Sequence, residues 1–288
     1  MPGAIDSLCN HFTPENLKRN FLSNPQEVET FERLGLMDNL KGYSPEEFLG
    51  RMTDAGVDKV VITAIASWSY LEQRMNVSTS VEEIIEARKA NPDRIHGLFG
   101  INPMQRLEGV RAMADAVETH GFVGAHIHPH GYDLPPDHAF YFPYYAKCAE
   151  LSVPVVISMG HTLDMMPIEV GRPVYLDKIA LYFRELKILC AHTAWPWVDE
   201  AIALAAKHPN VFIGTSAYAP KYWSPSLVQF ANSRGRSKVL WGTDFPVIDH
   251  ARSIREIEGL GFNADARNKL LRENALQFFP FQRAARTV

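Results

Sequence analysis

Short apolar runs rich in β-branched residues recur along this chain, separated by stretches of helical periodicity, and few folds accept that alternation. The runs are VDKVVITAIA (57–66), RIHGLFGI (94–101), FVGAHIH (122–128), VPVVIS (153–158), LKILCAH (186–192), NVFIGTS (210–216) and KVLWGT (238–243). Each is nearly continuous in apolar character, as strands covered on both faces are. Between them, SPEEFLGRMTDAG (44–56) opens on a Ser with a Glu three residues on and closes on Gly56, a capping box followed by a C-terminal glycine. Residues 81–92, 107–121, 144–151, 197–209 and 227–235 read as helices in the same way. An opening strand near residues 3–8 brings the strand count to eight, the last near 238–243. Eight βα units predict an α/β chain folded as a distorted (β/α)8 barrel, and no GxGxxG follows the first strand to favour an open doubly wound sheet.

Two long connections break the rhythm, residues 12–43 after the first strand and 66–80 after the second. Loops at the C-terminal ends of barrel strands build the active face, so these read as lids. No Gly/Ser-rich or charged linker interrupts the chain, which predicts one domain over residues 1–288. With 46% hydrophobic residues in 288, such a domain has ample core. The net charge of -4 offers no attraction for nucleic acid or an anionic membrane. There is neither an apolar run of membrane-spanning length nor a basic-then-apolar signal at the N-terminus. Cys9, Cys148 and Cys190 are too few and too scattered for a disulfide framework. The expectation is a cytoplasmic protein with a small molecule as its partner.

The polar residues gather where the strands end. Asn10 and His11 follow the first strand; Ser67, Trp68 and Tyr70 the second; His126, His128 and His130 the fourth. Ser158 and His161 follow the fifth, His192 with Trp195 and Trp197 the sixth, Ser216 and Tyr218 the seventh, and Asp244 the eighth. In a barrel these points converge on one face, where catalytic groups sit. Asp244 and His192, helped by His161 and His128, are the candidates for acid–base catalysis, an N-cap being the structural alternative for Asp244 and a core histidine for His192. Of the three histidines after strand four, at least one is expected to be structural. Asn10, Trp68, Tyr70, Trp195 and Tyr218 are candidates to line a substrate cavity. Basic residues that would grip a carboxylate are sparse at strand ends, and Lys41, Arg172 and Lys221, in loops, are the candidates. His96, His120, His138, His208 and His250 read as solvated or capping residues.

Several stretches resemble the amidohydrolase superfamily, in the branch called amidohydrolase family 2 that holds the aminocarboxymuconate semialdehyde decarboxylase-like enzymes. They are AIDSLCNHFTP, GVDKVVIT, GLFGINP, YFPYYAKCAELSVPVVI, LKILCAHTAWPW, HPNVFIGTSAY, KVLWGTDFPV and ENALQFF, in the expected order over nearly the whole chain. The resemblance implies a distorted (β/α)8 barrel running mostly metal-dependent hydrolysis or non-oxidative decarboxylation of small, often aromatic or carboxylated molecules, commonly as a homodimer. It places the family's strand-eight Asp at Asp244 and its strand-six His at His192. The strand-one motif Asp-x-His-x-His, counted from Asp6, falls on Leu8 and Asn10, and the strand-five ligand falls on Ser158.

Catalytic Zn²⁺ wants three protein N, O or S ligands at about 2.0–2.3 Å. Leu8 cannot ligate, and Asn10 or Ser158 would do so weakly. The expectation is therefore no cofactor, with Zn or another divalent metal held only if a bulge turns the chain so that His11, His161 and Asp244 form a displaced site. Two functions are consistent with this. One is an enzyme using acid–base chemistry on an activated substrate such as a lactone, or a decarboxylase. The other is a non-catalytic or assisting subunit in a hetero-oligomer with a metal-bearing paralogue.

Overall fold

A computed structural model describes residues 3–282. Eight parallel strands lie side by side in chain order: Ala4–Cys9 (β1), Val57–Ala64 (β2), Ile95–Gly100 (β3), Gly124–Ile127 (β4), Val155–Ile157 (β5), Ile188–Cys190 (β6), Val211–Gly214 (β7) and Val239–Leu240 (β8). Past Leu240 the backbone turns its bonds from β7 to β1 and shuts the seam. Ser7 N donates to Trp241 O (3.0 Å), Asp244 N to Leu8 O (2.8 Å) and Asn10 N to Phe245 O (2.9 Å). Ile5, Leu8, Val61, Leu98, Val156, Leu189 and Leu240, drawn from six strands, form one buried cluster, joined by Phe278 and Phe279 at the C-terminal helix. Side chains from all round a sheet meet only when the sheet closes on itself. The expected barrel is present.

Helices pack on the outer face of the strands. Ser44 and Glu47 form the expected capping box, and the helix Pro45–Asp54 that follows buries Phe48 and Met52. The two long connections carry structure of their own. Residues 12–43 hold the helices Pro14–Leu17 and Pro25–Leu34, and residues 66–80 hold the antiparallel hairpin Ala66–Ser69 with Arg74–Ser78. Leu17, Phe21, Phe31 and Leu40 from the first bury themselves against Val77 from the second, a small core separate from the barrel. That shared core makes the two connections a cap over the β1–β2 side. Among the described residues no helix is long and apolar enough to cross a membrane.

Asp6 lies on β1 fully buried and takes four hydrogen bonds. Its Oδ1 accepts from Leu8 N (3.1 Å) and Thr243 N (3.0 Å), and its Oδ2 from the Thr243 hydroxyl and His250 Nε2 (2.9 Å). His250 is therefore not the solvated residue expected, but the buried partner of a carboxylate 244 positions away. His96 and His208 are also buried, the latter on Asp177 Oδ1 at 2.6 Å. His138 does cap, accepting from Phe140 N. The cap of the helix after β8 is Asp249, so Asp244 is free of that role.

Removing one member of a buried, hydrogen-bonded pair leaves the others unsatisfied, at about 3–5 kcal/mol. Asp6→Ala should lower the unfolding free energy by that order in urea titrations. A loss below about 1 kcal/mol would show that the seam does not depend on this carboxylate.

Candidate active site

The alternation that places Val156 and Leu240 inside the barrel carries the chain, two and four residues on, to Ser158 and Asp244. His126 is the inward residue at the end of β4, and His192 follows β6. All four border a cavity of about 610 Å³ at the C-terminal ends of the strands, walled by Phe21, Phe31 and Val77 of the cap. His192 and Asp244 both sit at positive φ, +58° and +56°. Non-glycine residues seldom adopt that conformation, and it recurs where a chain must re-aim a functional side chain.

On the cavity floor an unbroken line of hydrogen bonds runs across four strand ends. Ser158 Oγ lies 3.0 Å from His126 Nε2 and 3.0 Å from His192 Nε2, and Ser216 Oγ lies 2.9 Å from His192 Nδ1. Burial pushes the histidines down, His192 to about 4 and His126 to about 3, the latter lowered further by its neighbour His192. Both are neutral at neutral pH. Ser216 holds the Nδ1 side of the His192 ring and Ser158 the Nε2 side, each through a hydroxyl that can donate or accept. Ser158 Oγ therefore stands between two imidazole nitrogens and can donate its single hydrogen to only one of them. The remaining His126 Nδ1 has no protein partner among the described residues.

Asp244 is buried, and burial pushes its carboxyl up to about 7 against the opposing hydrogen bond from Asn10, with the Asp6 charge adding a smaller upward push. Asn10 Nδ2 donates to Asp244 Oδ1 at 2.9 Å. Two further carboxyls border the cavity, Glu27 on helix Pro25–Leu34 and Asp164 on the connection after β5. They hydrogen-bond to each other, and burial raises both. Arg252, on the helix after β8, is the one Lys or Arg among the lining residues.

Of the expected site residues, Asn10, His128, His161, His192, Trp195, Tyr218 and Asp244 line this cavity together. His161 Nδ1 meets Tyr218 Oη at 3.1 Å, and its ring stands edge-on to Trp195. His126, His128 and His130 all line it too. His130 Nε2 donates to Gly160 O (2.9 Å), a bond that ties the β4 and β5 loops. Three candidates point elsewhere. Trp68 stacks on Tyr132 in the hairpin, Tyr70 stands 40% exposed at the hairpin turn, and His11 is bonded to Glu83 O and Thr13. Lys41, Arg172 and Lys221 do not line the cavity; they engage Asp38, Glu200 and the ring of Tyr222. Glu27, Asp164 and Arg252 carried no strand-end signal, though Arg252 sits in the first turn after strand eight.

The donor set does not suit the metal that the resemblance implies. Leu8 is packed in the barrel floor, the Asn10 amide is spent on Asp244, and the Ser158 hydroxyl lies between two imidazoles. β1 does break its register between Asp6 and Cys9, but the break does not bring His11 to the cavity, and His11, His161 and Asp244 do not assemble. Asp6, Cys9 and His250 bring ligand atoms within 4.8 Å of one another. They stand off the cavity, Asp6 is saturated with hydrogen bonds, and burial holds the Cys9 thiol well above its usual range, in the protonated form that ligates poorly.

The sequence model described as "Amidohydrolase" matches residues 23–281. No curated protein sequence matches. The fold is similar to that of an uncharacterised TIM-barrel protein of Bordetella bronchiseptica, with a TM-score of 0.72 and 22% identity over 96% of this chain and 97% of that one. It is similar to a 5-carboxyvanillate decarboxylase of Novosphingobium aromaticivorans solved with manganese and a nitrobenzoic acid, with a TM-score of 0.72 and 17% identity over 97% and 96%. A probable 2-pyrone-4,6-dicarboxylic acid hydrolase of Acinetobacter baumannii aligns with a TM-score of 0.61 and 13% identity over 97% and 99%.

A carboxyl whose folded pKa is raised favours the native state fully below its unfolded pKa, and that contribution is lost as pH rises through the folded value. With Asp244 raised from 3.8 to about 7, wild type should lose stability relative to Asp244→Asn as pH climbs from about 4 to about 8. Urea midpoints of the two proteins across that range provide the measurement. A pH-independent difference would mean that Asp244 ionises as an ordinary carboxyl does.

Proposed function

We propose, from the premise that this chain belongs to the amidohydrolase family, that it is a small-molecule hydrolase whose acid–base centre is Asp244 with His192. The substrate class is an activated carbonyl compound, a lactone or ester, with an aromatic or carboxylated body. What carries the reading is the Asp244 carboxyl, raised to about 7 at the floor of an enclosed cavity and held by Asn10. Near neutrality such a group exists as both acid and base, so it can take a proton from water and give one to a departing oxygen. His192 is a neutral acceptor beside it on the same floor. It draws its orientation from Ser158 and Ser216 rather than from a carboxylate, unlike the imidazole–carboxylate pair common in such sites. Phe21, Phe31 and Trp195 offer an apolar body its walls, and Arg252 offers one carboxylate a cation.

The chemistry proposed needs no metal, because the residues at the family's ligand positions are already committed to one another. A bound divalent ion would supply Lewis acidity and an activated water. Here Asn10 stands where it would meet Asp244, and Asp244 performs the proton transfers itself. The protonated half of Asp244 also favours a second reading, non-oxidative decarboxylation, in which the carboxyl delivers a proton to the carbon that CO₂ leaves.

Protein purified without added metal should carry far less than one equivalent of Zn, Mn or Fe, and chelator should leave turnover unchanged. Stoichiometric, tightly held metal would remove this part of the proposal. Asp244→Asn preserves shape and the Asn10 contact while removing the base. Turnover should fall by about 10²-fold or more, with a similar fall for His192→Asn, and the double variant should show less than the summed loss. An Asp244→Asn variant with full turnover would remove Asp244 from the acid–base role.

A further inference from the structure

We propose that Ser158 is a nucleophile and that His192 and His126 activate it, so that the hydrolysis proposed above passes through an acyl group on Ser158 Oγ. The proposal rests on that hydrolytic reading and adds a residue and an intermediate to it. Four observations support it. Ser158 borders the cavity, so its oxygen can meet a bound carbonyl. Its hydroxyl lies 3.0 Å from His192 Nε2, the reach required of a nucleophile and its base. The far side of that imidazole is held by the Ser216 hydroxyl at 2.9 Å, and with Nδ1–H donating to it Nε2 is free to take the Ser158 proton. Finally, His126 Nε2–H points at the same oxygen from 3.0 Å and stabilises negative charge there as the proton departs.

A serine placed only to satisfy two buried imidazoles would need no outlet to a cavity. Three features make this one an activated hydroxyl: one donor, one acceptor, and an open side. In the acylation step Ser158 Oγ–H passes its proton to His192 Nε2 while Oγ bonds to the carbonyl carbon and the π pair moves to the carbonyl oxygen. Collapse of that tetrahedral species breaks the bond to the leaving oxygen, which takes a proton from Asp244. Water then attacks the acyl carbon and gives a proton to Asp244. Ser158 leaves with the proton held on His192. Ester and water become acid and alcohol, and every group returns to its starting state.

The test uses phenylmethylsulfonyl fluoride, a small aromatic sulfonyl fluoride that modifies activated serines with loss of fluoride, and p-nitrophenyl acetate as an ester. Peptide mapping by mass spectrometry should find the sulfonyl group on Ser158 in wild type and on no residue in Ser158→Ala. His192→Asn should slow labelling by about 10²-fold or more. Should Ser158→Ala fail to fold, Ser158→Cys takes its place, and iodoacetamide should alkylate that thiol at a rate that falls in the Ser158→Cys, His192→Asn double variant. No adduct on Ser158, or labelling at the wild-type rate without His192, would overturn the proposal. Ester turnover by Asp244→Asn separates the two readings. A loss of turnover with Ser158 unlabelled keeps the acid–base centre and removes the nucleophile. Full turnover with Ser158 labelled keeps the nucleophile and removes the role of Asp244.

Discussion

A single buried carboxylate holds the first and last strands of this barrel together. Asp6 takes hydrogen bonds from its own strand, from the backbone and hydroxyl of Thr243 just past β8, and from His250 on the helix beyond. The neighbouring seam bond from Asp244 N to Leu8 O then sets where the Asp244 side chain stands, and Asn10 reaches it from the other edge of the same seam. Closure and the placement of the Asp244 carboxyl are therefore one piece of construction. A carboxylate so fully satisfied offers no lone pair to a metal, and this is why the convergence of Asp6 with Cys9 and His250 reads as a strut.

The same economy governs the floor of the cavity. Where relatives of this fold place ligating histidines, this chain places an amide, a hydroxyl and a leucine, and each has found a protein partner. The leucine completes the barrel interior, the amide steadies a carboxyl, and the hydroxyl joins two imidazoles. Histidines buried in this way stay neutral, since charging them would require water that the site excludes. Their value to the site lies in hydrogen bonds, which join His126, Ser158, His192 and Ser216 in one line.

The barrel was legible in the sequence because doubly covered strands leave near-continuous apolar runs, and the residues at their ends mark one face. Asp244 and His192 were legible for that reason. His11, Trp68 and Tyr70 were on the right end of the right strands yet turn away, since strand-end position fixes height along the barrel and leaves direction to the next turn. Glu27 reaches the cavity from a helix whose return over the barrel depends on a small separate core with no periodic signature, Asp164 from the loop after β5 and Arg252 from the helix after β8. The bond between Asp6 and His250 spans 244 positions, beyond any local pattern. Ser158 stood out in the sequence chiefly as a ligand that was missing. Its role needed the two imidazoles to be seen on either side of it.

The cavity would seem too acidic for a carboxylated substrate, with Asp244, Glu27 and Asp164 facing one Arg252. The burial that encloses the substrate resolves this. Desolvation raises all three carboxyls, and each of Glu27 and Asp164 is raised further by the charge of Asp244. Glu27 and Asp164 share a hydrogen bond, an arrangement that needs one of them protonated. The site therefore holds fewer negative charges than carboxyl groups, and the one cation on its wall, Arg252, is itself paired with Glu256 at 2.9 Å. A cap that seals against water is thus also what keeps its own acids neutral enough to admit an anion, and opening it would ionise them and weaken that admission. Enclosure and charge selection are coupled through the same desolvation.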